Sequence, residues 1–153
     1  MKKNIIILIL IMFIFSGCGF KSLLSVNKPV FVIEAINNAD NKLISRTISI
    51  YLKKLEINND PNLEKFTINV SSKKEINVTS KDNKGDPTNF GMNIFVYLEF
   101  YTDNNLVKRE GFESQFNYKN KSNKFDLALY EKNVEKNILK QIIKDINLYI
   151  LKN

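Results

Sequence analysis

The sequence predicts an α+β fold, a two-layer sandwich in which two helices pack on one face of a four-stranded mixed sheet, in the order β-α-β-β-β-α. Two segments place apolar residues at the three-to-four spacing of an amphipathic helix, and three segments carry the period-two pattern of a strand. A further segment is almost wholly apolar, as expected of a strand that is covered on both faces. Two amphipathic helices each need an apolar surface to bury their stripes, and one face of a sheet supplies it.

The first two elements are a buried strand and a short helix. Residues 30–36 are nearly all apolar, which predicts the strand, and Asn37-Asn38 is expected to end it. The apolar stripe of the helix consists of Ile44, Ile48, Leu52 and Leu55. Residues 58–62 (Asn-Asn-Asp-Pro-Asn) then break the helical pattern.

A long strand follows, because residues 66–80 alternate between apolar and polar side chains almost without fault. Its second face is polar throughout, which predicts that this face contacts water. Ser72 and Lys74 interrupt the apolar face and indicate a bulge or a break at that point. Residues 81–87 have the composition of a turn and carry two lysines.

Two more strands and a hairpin turn at residues 103–105 complete the predicted sheet. The apolar face of the third strand consists of Met92, Ile94, Val96, Leu98 and Phe100. Its other face carries Phe95, Tyr97 and Tyr101, which we interpret either as a contact surface for a partner or as ordinary packing. The fourth strand is marked by Phe112, Phe116 and Tyr118.

The last element is a long helix over residues 126–151, with Asn123 or Asp126 as its N-cap and Lys152 complementing the dipole at its C-terminal end. Its stripe keeps the helical spacing for six turns and consists of Leu127, Tyr130, Val134, Ile138, Ile142, Ile146 and Tyr149.

The N-terminal residues have the organisation of an export signal. Residues 1–3 are a cationic start, and residues 5–15 are an unbroken apolar run of about 16 Å as a helix, too short for a ~30 Å hydrocarbon core. Ser16, Gly17 and Cys18 follow directly. We therefore predict a lipoprotein signal peptide over residues 1–17, a lipidated tether over 18–29 and a single α+β domain over 30–153.

The segment Phe15-Ser16-Gly17-Cys18 resembles the bacterial lipobox. That resemblance implies that Cys18 becomes thioether-linked to diacylglycerol and is the new N-terminus, so that acyl chains hold the protein on a membrane. Gly19 stands where Asp would retain a lipoprotein at the inner membrane, which points to the outer membrane. The alternatives are an incidental thiol after an ordinary signal peptide and an uncleaved anchor.

The composition excludes many kinds of catalytic and metal site, because the chain has no His and only one Cys. Imidazole-based nucleophile pairs, imidazole metal sites, internal disulfides and Cys-rich zinc sites all need residues that are missing. We predict neither a metal nor a cofactor. Removal of Lys2 and Lys3 leaves 21 basic residues against 16 acidic ones, a net charge of +5. In the periplasm this surplus suits anionic lipid or saccharide phosphates rather than nucleic acid, although a merely lysine-rich surface is the simpler interpretation.

The chain resembles the LptE family, also called RlpB, of outer-membrane lipopolysaccharide-assembly lipoproteins. The resemblance lies in the predicted β-α-β-β-β-α order, the C-terminal helix and the start Ser16-Gly17-Cys18-Gly19-Phe20-Lys21. It implies a protein that plugs the LptD β-barrel, helps the barrel to fold and assists insertion of lipopolysaccharide into the outer leaflet, with no covalent chemistry. In the family, glycolipid contact is linked to the loop between the second and third strands and to the start of the last helix, which here hold Lys81, Lys84, Lys121 and Lys124.

Two other functions stay open from the sequence. The chain is alternatively a different envelope lipoprotein that acts as an assembly scaffold or as a lipid-binding module. The second alternative is an enzyme that cleaves glycosides with a pair of carboxylates, although nothing in the sequence marks a cleft that would hold such a pair. The acidic residues available on the predicted strands are Glu75, Glu99, Glu110 and Glu113.

Overall fold

The computed structural model describes residues 31–40, 42–55 and 61–152 as four strands and two helices in the predicted order. The elements are β1 (Val32–Asn38), α1 (Leu43–Lys54), β2 (Lys65–Lys81), β3 (Pro87–Thr102), β4 (Asn105–Lys119) and α2 (Lys124–Lys152). The predicted signal peptide (1–17), Cys18 and the tether (18–29) lie outside the described residues.

The strands form one sheet in the order β1-β2-β3-β4. β1 pairs with β2 in parallel, over a register that runs from Val32 opposite Lys65 to Asn38 opposite Val70. β2, β3 and β4 pair antiparallel through two hairpins. The helix α1 connects β1 to β2, because parallel neighbours need a crossover. The sheet is therefore mixed, as predicted, with its one parallel pair at the β1 edge.

Both helices pack on the same face of the sheet and bury the central part of it. The alternating apolar residues of β2 and β3 lie on this face, which we call the helix face, and the opposite side of the sheet is the helix-free face. Fully buried side chains in the centre of the core are Ile48, Leu52, Ile68, Val70, Met92, Ile94, Val96, Leu98, Ile142 and Ile146. The layered arrangement confirms the predicted two-layer sandwich.

Aromatic rings close the core at the end where the described chain begins. Phe31, Phe66 and Phe100 contact one another edge to face, with ring centroids 5.6–5.8 Å apart. Tyr149, near the C-terminus of α2, adds a contact of 6.1 Å to Phe100 and one of 5.7 Å to Phe112. These rings join the first strand, the middle of the sheet and the end of α2 at one place.

Polar side chains fix the crossover between β1 and α1. The Asp40 carboxylate accepts a hydrogen bond of 2.8 Å from the Ser72 amide, and Lys42 Nζ donates to the Ser72 carbonyl at 2.7 Å. The buried hydroxyls of Ser45 and Ser72 are 2.7 Å apart. Although burial opposes ionisation of Asp40, hydrogen bonds from Ser45, the Ser72 amide and Lys42 lower the pKa of its carboxyl to about 2. These hydrogen bonds satisfy the backbone amide and carbonyl of Ser72 in β2, just beyond the point where its pairing with β1 ends.

Three local predictions differ from the structure. β1 ends at Asn38 and not before Asn37, because Asn37 donates to the Asn69 side chain across the strands and Asn38 accepts from Ser49. β1 is an edge strand with Glu34, Ala35 and Asn37 exposed, so the prediction that it is covered on both faces was wrong. No bulge or break occurs at Ser72 and Lys74; the register shifts of β2 come later, after Val78. Ser72 is buried with its partners, and Lys74 Nζ is 2.7 Å from Glu135 of α2.

The start of α2 is held by a cap and by one buried hydroxyl. Asn123 Oδ1 accepts from the amides of Phe125 and Asp126 at 2.8 and 3.4 Å, so that Asn123 is the N-cap. Tyr118 of β4 donates to Glu131 at 2.7 Å. Burial, together with this carboxylate, raises the pKa of Tyr118. The orientation of the first turns of α2 on β4 is therefore fixed.

Candidate functional site

The four lysines that the family resemblance indicated lie in loops that meet at one end of the sandwich. Lys81 is opposite Pro87 at the end of the β2–β3 hairpin. The loop after β4 packs against the same place, since Asn120 donates its backbone amide to Thr88 O at 2.8 Å and its side-chain amide to Pro87 O at 2.7 Å. The exposed lysines of this surface, the cationic end, are Lys81, Lys84, Lys119, Lys121 and Lys124. Lys119 was not among the predicted site residues.

Its hairpin turn, residues 82–86, has an ordered backbone. Asp82 Oδ1 accepts from the amides of Lys84 and Asp86, both at 2.9 Å. Gly85 has φ +89°, a left-handed conformation that glycine adopts without a steric penalty. The ordered turn fixes the backbone positions of Lys81 and Lys84, which precede and follow Asp82 in the sequence.

The cationic end has lysines that are available to an anion. Within the described residues, the ion pairs do not include Lys81, Lys84, Lys121 or Lys124. Lys121 Nζ lies 4.9 Å from the centroid of the Tyr130 ring, a cation–π contact that orients its chain. Three acidic residues share the surface, namely Asp82, Asp86 and Asp126, so the five lysines leave a surplus of two positive charges.

Apolar side chains are exposed at this same end. Phe125, in the first turn of α2, is 76% exposed. Ile76, Val78 and Phe116 point to the helix face but are 41%, 44% and 45% exposed, because the sheet extends beyond the surface that the helices cover. The cationic end is therefore amphiphilic. Sequence alternation identified Ile76, Val78 and Phe116 as apolar-face positions but not as exposed ones, and it gave no indication for Phe125.

The described chain begins at the opposite end of the sheet. Val32 is opposite Lys65, and Thr102 Oγ1 donates to Lys65 O at 3.4 Å, which places the start of β1 beside the β3–β4 turn. β2 has 17 residues and so spans about 50 Å at ~3.3 Å per residue. The start of the domain and the cationic end are separated by about that distance.

The helix-free face is polar at its margins and aromatic along β3. Phe95, Tyr97 and Tyr101 are half-buried there. The Arg109 guanidinium lies 4.7 Å from the centroid of the Tyr97 ring, and this ring extends over Gly111, where an added Cβ would come within 3.3 Å of it. The Tyr97 ring thus lies over β4, and the Tyr101 hydroxyl donates to the Glu99 carboxylate at 3.1 Å.

Each strand carboxylate that was considered for catalysis has a polar partner. Glu75 pairs with Lys73, Glu110 with Lys108 at 3.3 Å, and Glu99 with Arg109 at 3.5 Å. Glu113 accepts from Asn93 Nδ2 at 2.6 Å. These contacts hold the carboxylates in separate pairs along the sheet and do not bring two of them together over a cleft.

The described part of the chain contains no group of three or more Cys, Asp or Glu side chains arranged to hold a metal ion. None of the helices in the described ranges combines the length and the hydrophobicity needed to cross a membrane.

Comparison with known proteins finds similarity in structure but not in sequence. No protein-family model matches the chain, and no curated protein matches it. The minor lipoprotein of Acinetobacter baumannii has a TM-score of 0.61 at 12% identity, covering 82% of this chain and 94% of that one. The rare lipoprotein B of Shewanella oneidensis gives 0.53 at 13% identity, covering 76% and 94%.

A third structure, the uncharacterized lipoprotein B of Nitrosomonas europaea, has a TM-score of 0.56 at 15% identity and covers 84% of this chain and 87% of that one. Together the fold and the comparisons define a small α+β sandwich of the kind that bacterial lipoproteins contain. More specifically, the fold is LptE/RlpB-like, which confirms at the level of fold the resemblance noted in the sequence.

Proposed function

We propose that the chain is an outer-membrane lipoprotein, anchored by acyl chains on Cys18, that plugs a β-barrel of the LptD type and assists insertion of lipopolysaccharide into the outer leaflet. The observation that carries this proposal is the LptE/RlpB-like fold, combined with a cationic, amphiphilic end that lies about 50 Å from the start of the domain. The role is one of binding and assembly and needs no enzymatic chemistry.

The shape and surface of the domain suit the interior of a barrel. Its long axis of about 50 Å exceeds the apolar band of an outer-membrane barrel, which is about 25 Å tall. The helix-free face offers amides, hydroxyls and paired charges to a wet lumen, and the half-buried Phe95, Tyr97 and Tyr101 offer aromatic surface to a wall. Because the described chain begins at the end away from the lysines, we expect an anchor on Cys18 to hold that end nearer to the membrane surface than the cationic end.

The cationic end suits a glycolipid that carries phosphates. Lysine ammonium groups bind phosphate as mobile point charges. The exposed Phe125, Ile76 and Val78 supply apolar area within the same surface. An anionic headgroup joined to acyl chains matches this combination better than a free anion does, since a free anion gains nothing from the apolar side chains.

Depletion of the chain in its own cell tests the proposal. We expect the amount of correctly assembled barrel to fall, and with it the amount of lipopolysaccharide at the cell surface, while barrels of other kinds assemble normally. Re-expression of the wild-type chain should restore both. Unchanged barrel assembly and unchanged surface lipopolysaccharide after depletion would contradict the proposal and favour a scaffold or lipid-binding lipoprotein with soluble partners.

A further inference from the structure

One lysine of the cationic end is held both at its backbone and at its ammonium group. The amide of Lys121 donates to Asn120 Oδ1 at 2.8 Å, and the side-chain amide of Asn120 in turn donates to Pro87 O at 2.7 Å. The Lys121 ammonium group lies 4.9 Å from the centroid of the Tyr130 ring. Within the described residues, the side chains of the other four lysines of this surface make no ion pair or cation–π contact: Lys81, Lys84, Lys119 and Lys124.

The Tyr130 ring belongs to a row of three rings that joins α2 to the sheet. Phe90 of β3 is opposite Tyr118 of β4, and their ring centroids are 5.7 Å apart. Tyr118, which is buried, contacts Tyr130 edge to face at 5.8 Å. The Lys121 ammonium group lies on the last ring of this row. Its position is therefore tied to the core of the domain and not to the loop after β4 alone.

The carboxylate beside this row does not neutralise Lys121. Glu131 Oε1 accepts a hydrogen bond of 2.7 Å from the Tyr118 hydroxyl. Burial, together with this carboxylate, raises the pKa of Tyr118, so that its hydroxyl stays protonated and donates. The ion pairs of the described residues include neither Lys121 nor Glu131. An aromatic face attracts an ammonium group without accepting its three N–H donors in the way that a carboxylate does, so the charge of Lys121 is placed but not compensated.

We propose that Tyr130 is a positioning residue of the glycolipid site, which holds Lys121 Nζ where it binds a phosphate of the ligand. A lysine side chain loses rotamer freedom when it binds a phosphate, and this loss lowers affinity. Because the Tyr130 ring already restricts the side chain, Lys121 loses less freedom on binding than the other four lysines. Lys121 therefore contributes more to the affinity than any of them. This inference rests on the proposed function, because it assigns roles within the site for lipopolysaccharide.

A double-mutant cycle tests the inference, with purified lipopolysaccharide and the detergent-solubilised full-length chain. Tyr130→Leu keeps an apolar side chain in the stripe of α2 but removes the ring, whereas Tyr130→Phe keeps the ring and removes only the hydroxyl. We expect Tyr130→Leu to bind about threefold more weakly than the wild type, and Tyr130→Phe to bind as the wild type does. In a chain that also carries Lys121→Met, Tyr130→Leu should have no further effect, because the ring acts through the ammonium group.

The chain offers a matched control at the other end of the sandwich. Lys108 Nζ lies 4.9 Å from the centroid of the Tyr149 ring, the same distance as in the pair of Lys121 and Tyr130. Tyr149→Leu should therefore bind lipopolysaccharide as the wild type does. Lipopolysaccharide from which the phosphates have been removed gives a second control, because the wild type and Tyr130→Leu should bind it equally.

The cycle separates positioning from a merely structural role of the ring. If Tyr130→Leu weakens binding equally with and without Lys121, the ring acts through the fold and the inference is overturned. Wild-type affinity of Tyr130→Leu, or a loss in Tyr130→Phe as large as that in Tyr130→Leu, would also overturn it. Each of these results leaves the proposed function standing. A wild-type chain that does not bind lipopolysaccharide would overturn both.

Discussion

At the scale of single residues, the lysines of the cationic end differ in how firmly they are placed. Lys121 is oriented by the Tyr130 ring, and Tyr130 itself packs edge to face on Tyr118 with ring centroids 5.8 Å apart. Lys84 is placed by the backbone of an ordered turn. A ligand that contacts both therefore bridges a hairpin and a helix start whose relative position is set by Asn120.

Charge reversal should show whether these lysines bind the glycolipid. We expect the variant with Glu at positions 81, 84, 121 and 124 to bind purified lipopolysaccharide about tenfold more weakly at low salt, because charge-assisted contacts to phosphate are replaced by repulsion. The difference should shrink in ~0.5 M salt, since exposed charges are then screened. Equilibrium binding to the detergent-solubilised chain measures both.

A matched control carries the same change of net charge at a different place. This control variant replaces four exposed lysines of α2, away from the cationic end, with Glu: Lys136, Lys140, Lys144 and Lys152. We expect it to bind lipopolysaccharide nearly as the wild type does. If both quadruple variants lose affinity equally, overall charge and not a site is responsible. If neither loses affinity at either salt concentration, the four lysines are not part of the site.

At the scale of elements, the junction of β1, α1 and β2 depends on an ionised carboxylate. Asp40 has a pKa of about 2 in the folded chain, against an ordinary value of 3.8. Because the pKa is lower in the folded chain, the charged carboxylate stabilises the fold at every pH above the pKa of the unfolded chain. This contribution is lost as the pH falls toward the pKa of the folded chain. Other elements of the sandwich are joined mainly by apolar contacts, which do not titrate.

Asp40→Asn should therefore change the pH dependence of stability. We expect the free energy of unfolding at pH 7 to fall by about 1–3 kcal/mol, because the hydrogen bonds from the Ser72 amide and Lys42 lose their charged acceptor. The difference from the wild type should close between about pH 4 and pH 2. Urea denaturation across this range provides the measurement. Asp103→Asn, in the β3–β4 turn, is the control; parallel curves for Asp40→Asn and the wild type would contradict the assignment.

Period and spacing were sufficient to predict the type and order of every element, because each strand or helix buries one face. They were not sufficient for details that depend on distant partners. Ser72 looked like an interruption since its partners, Asp40 and Ser45, lie about thirty residues earlier in the chain. Sheet order was likewise open, as alternation records which side of a strand is apolar but not which strand lies beside it.

At the scale of the whole molecule, only part of the candidate site could be predicted from the sequence, and its role in binding stays a prediction. Family resemblance pointed to the loops of Lys81 and Lys124, and the hairpin geometry brings these loops together. The apolar half of the cationic end was not predicted, because the exposure of Ile76 and Val78 depends on how far α1 extends over the sheet. Alternation in a sequence assigns a side chain to a face and carries no information about whether a helix covers it.

In the proposed function, an acyl anchor on Cys18 determines which compartment the domain occupies. We expect Cys18→Ser to remove incorporation of a labelled fatty acid and to move the protein from the membrane fraction to the soluble periplasmic fraction. The free energy of unfolding should be unchanged, since Cys18 precedes the first residue of the described fold. Equal incorporation of the label into Cys18→Ser and the wild type would show that the acyl chain is attached to another residue.

The mass of the species that contains this chain in a detergent extract of the outer membrane distinguishes a barrel plug from a lipoprotein with other partners. Native mass spectrometry in a mild detergent should give a single species with the summed mass of one barrel and one acylated chain beginning at Cys18. The same preparation from Cys18→Ser cells should contain much less of it. A chain that is recovered alone, with soluble partners or at a stoichiometry other than one to one would contradict its role as a lipid-anchored barrel plug.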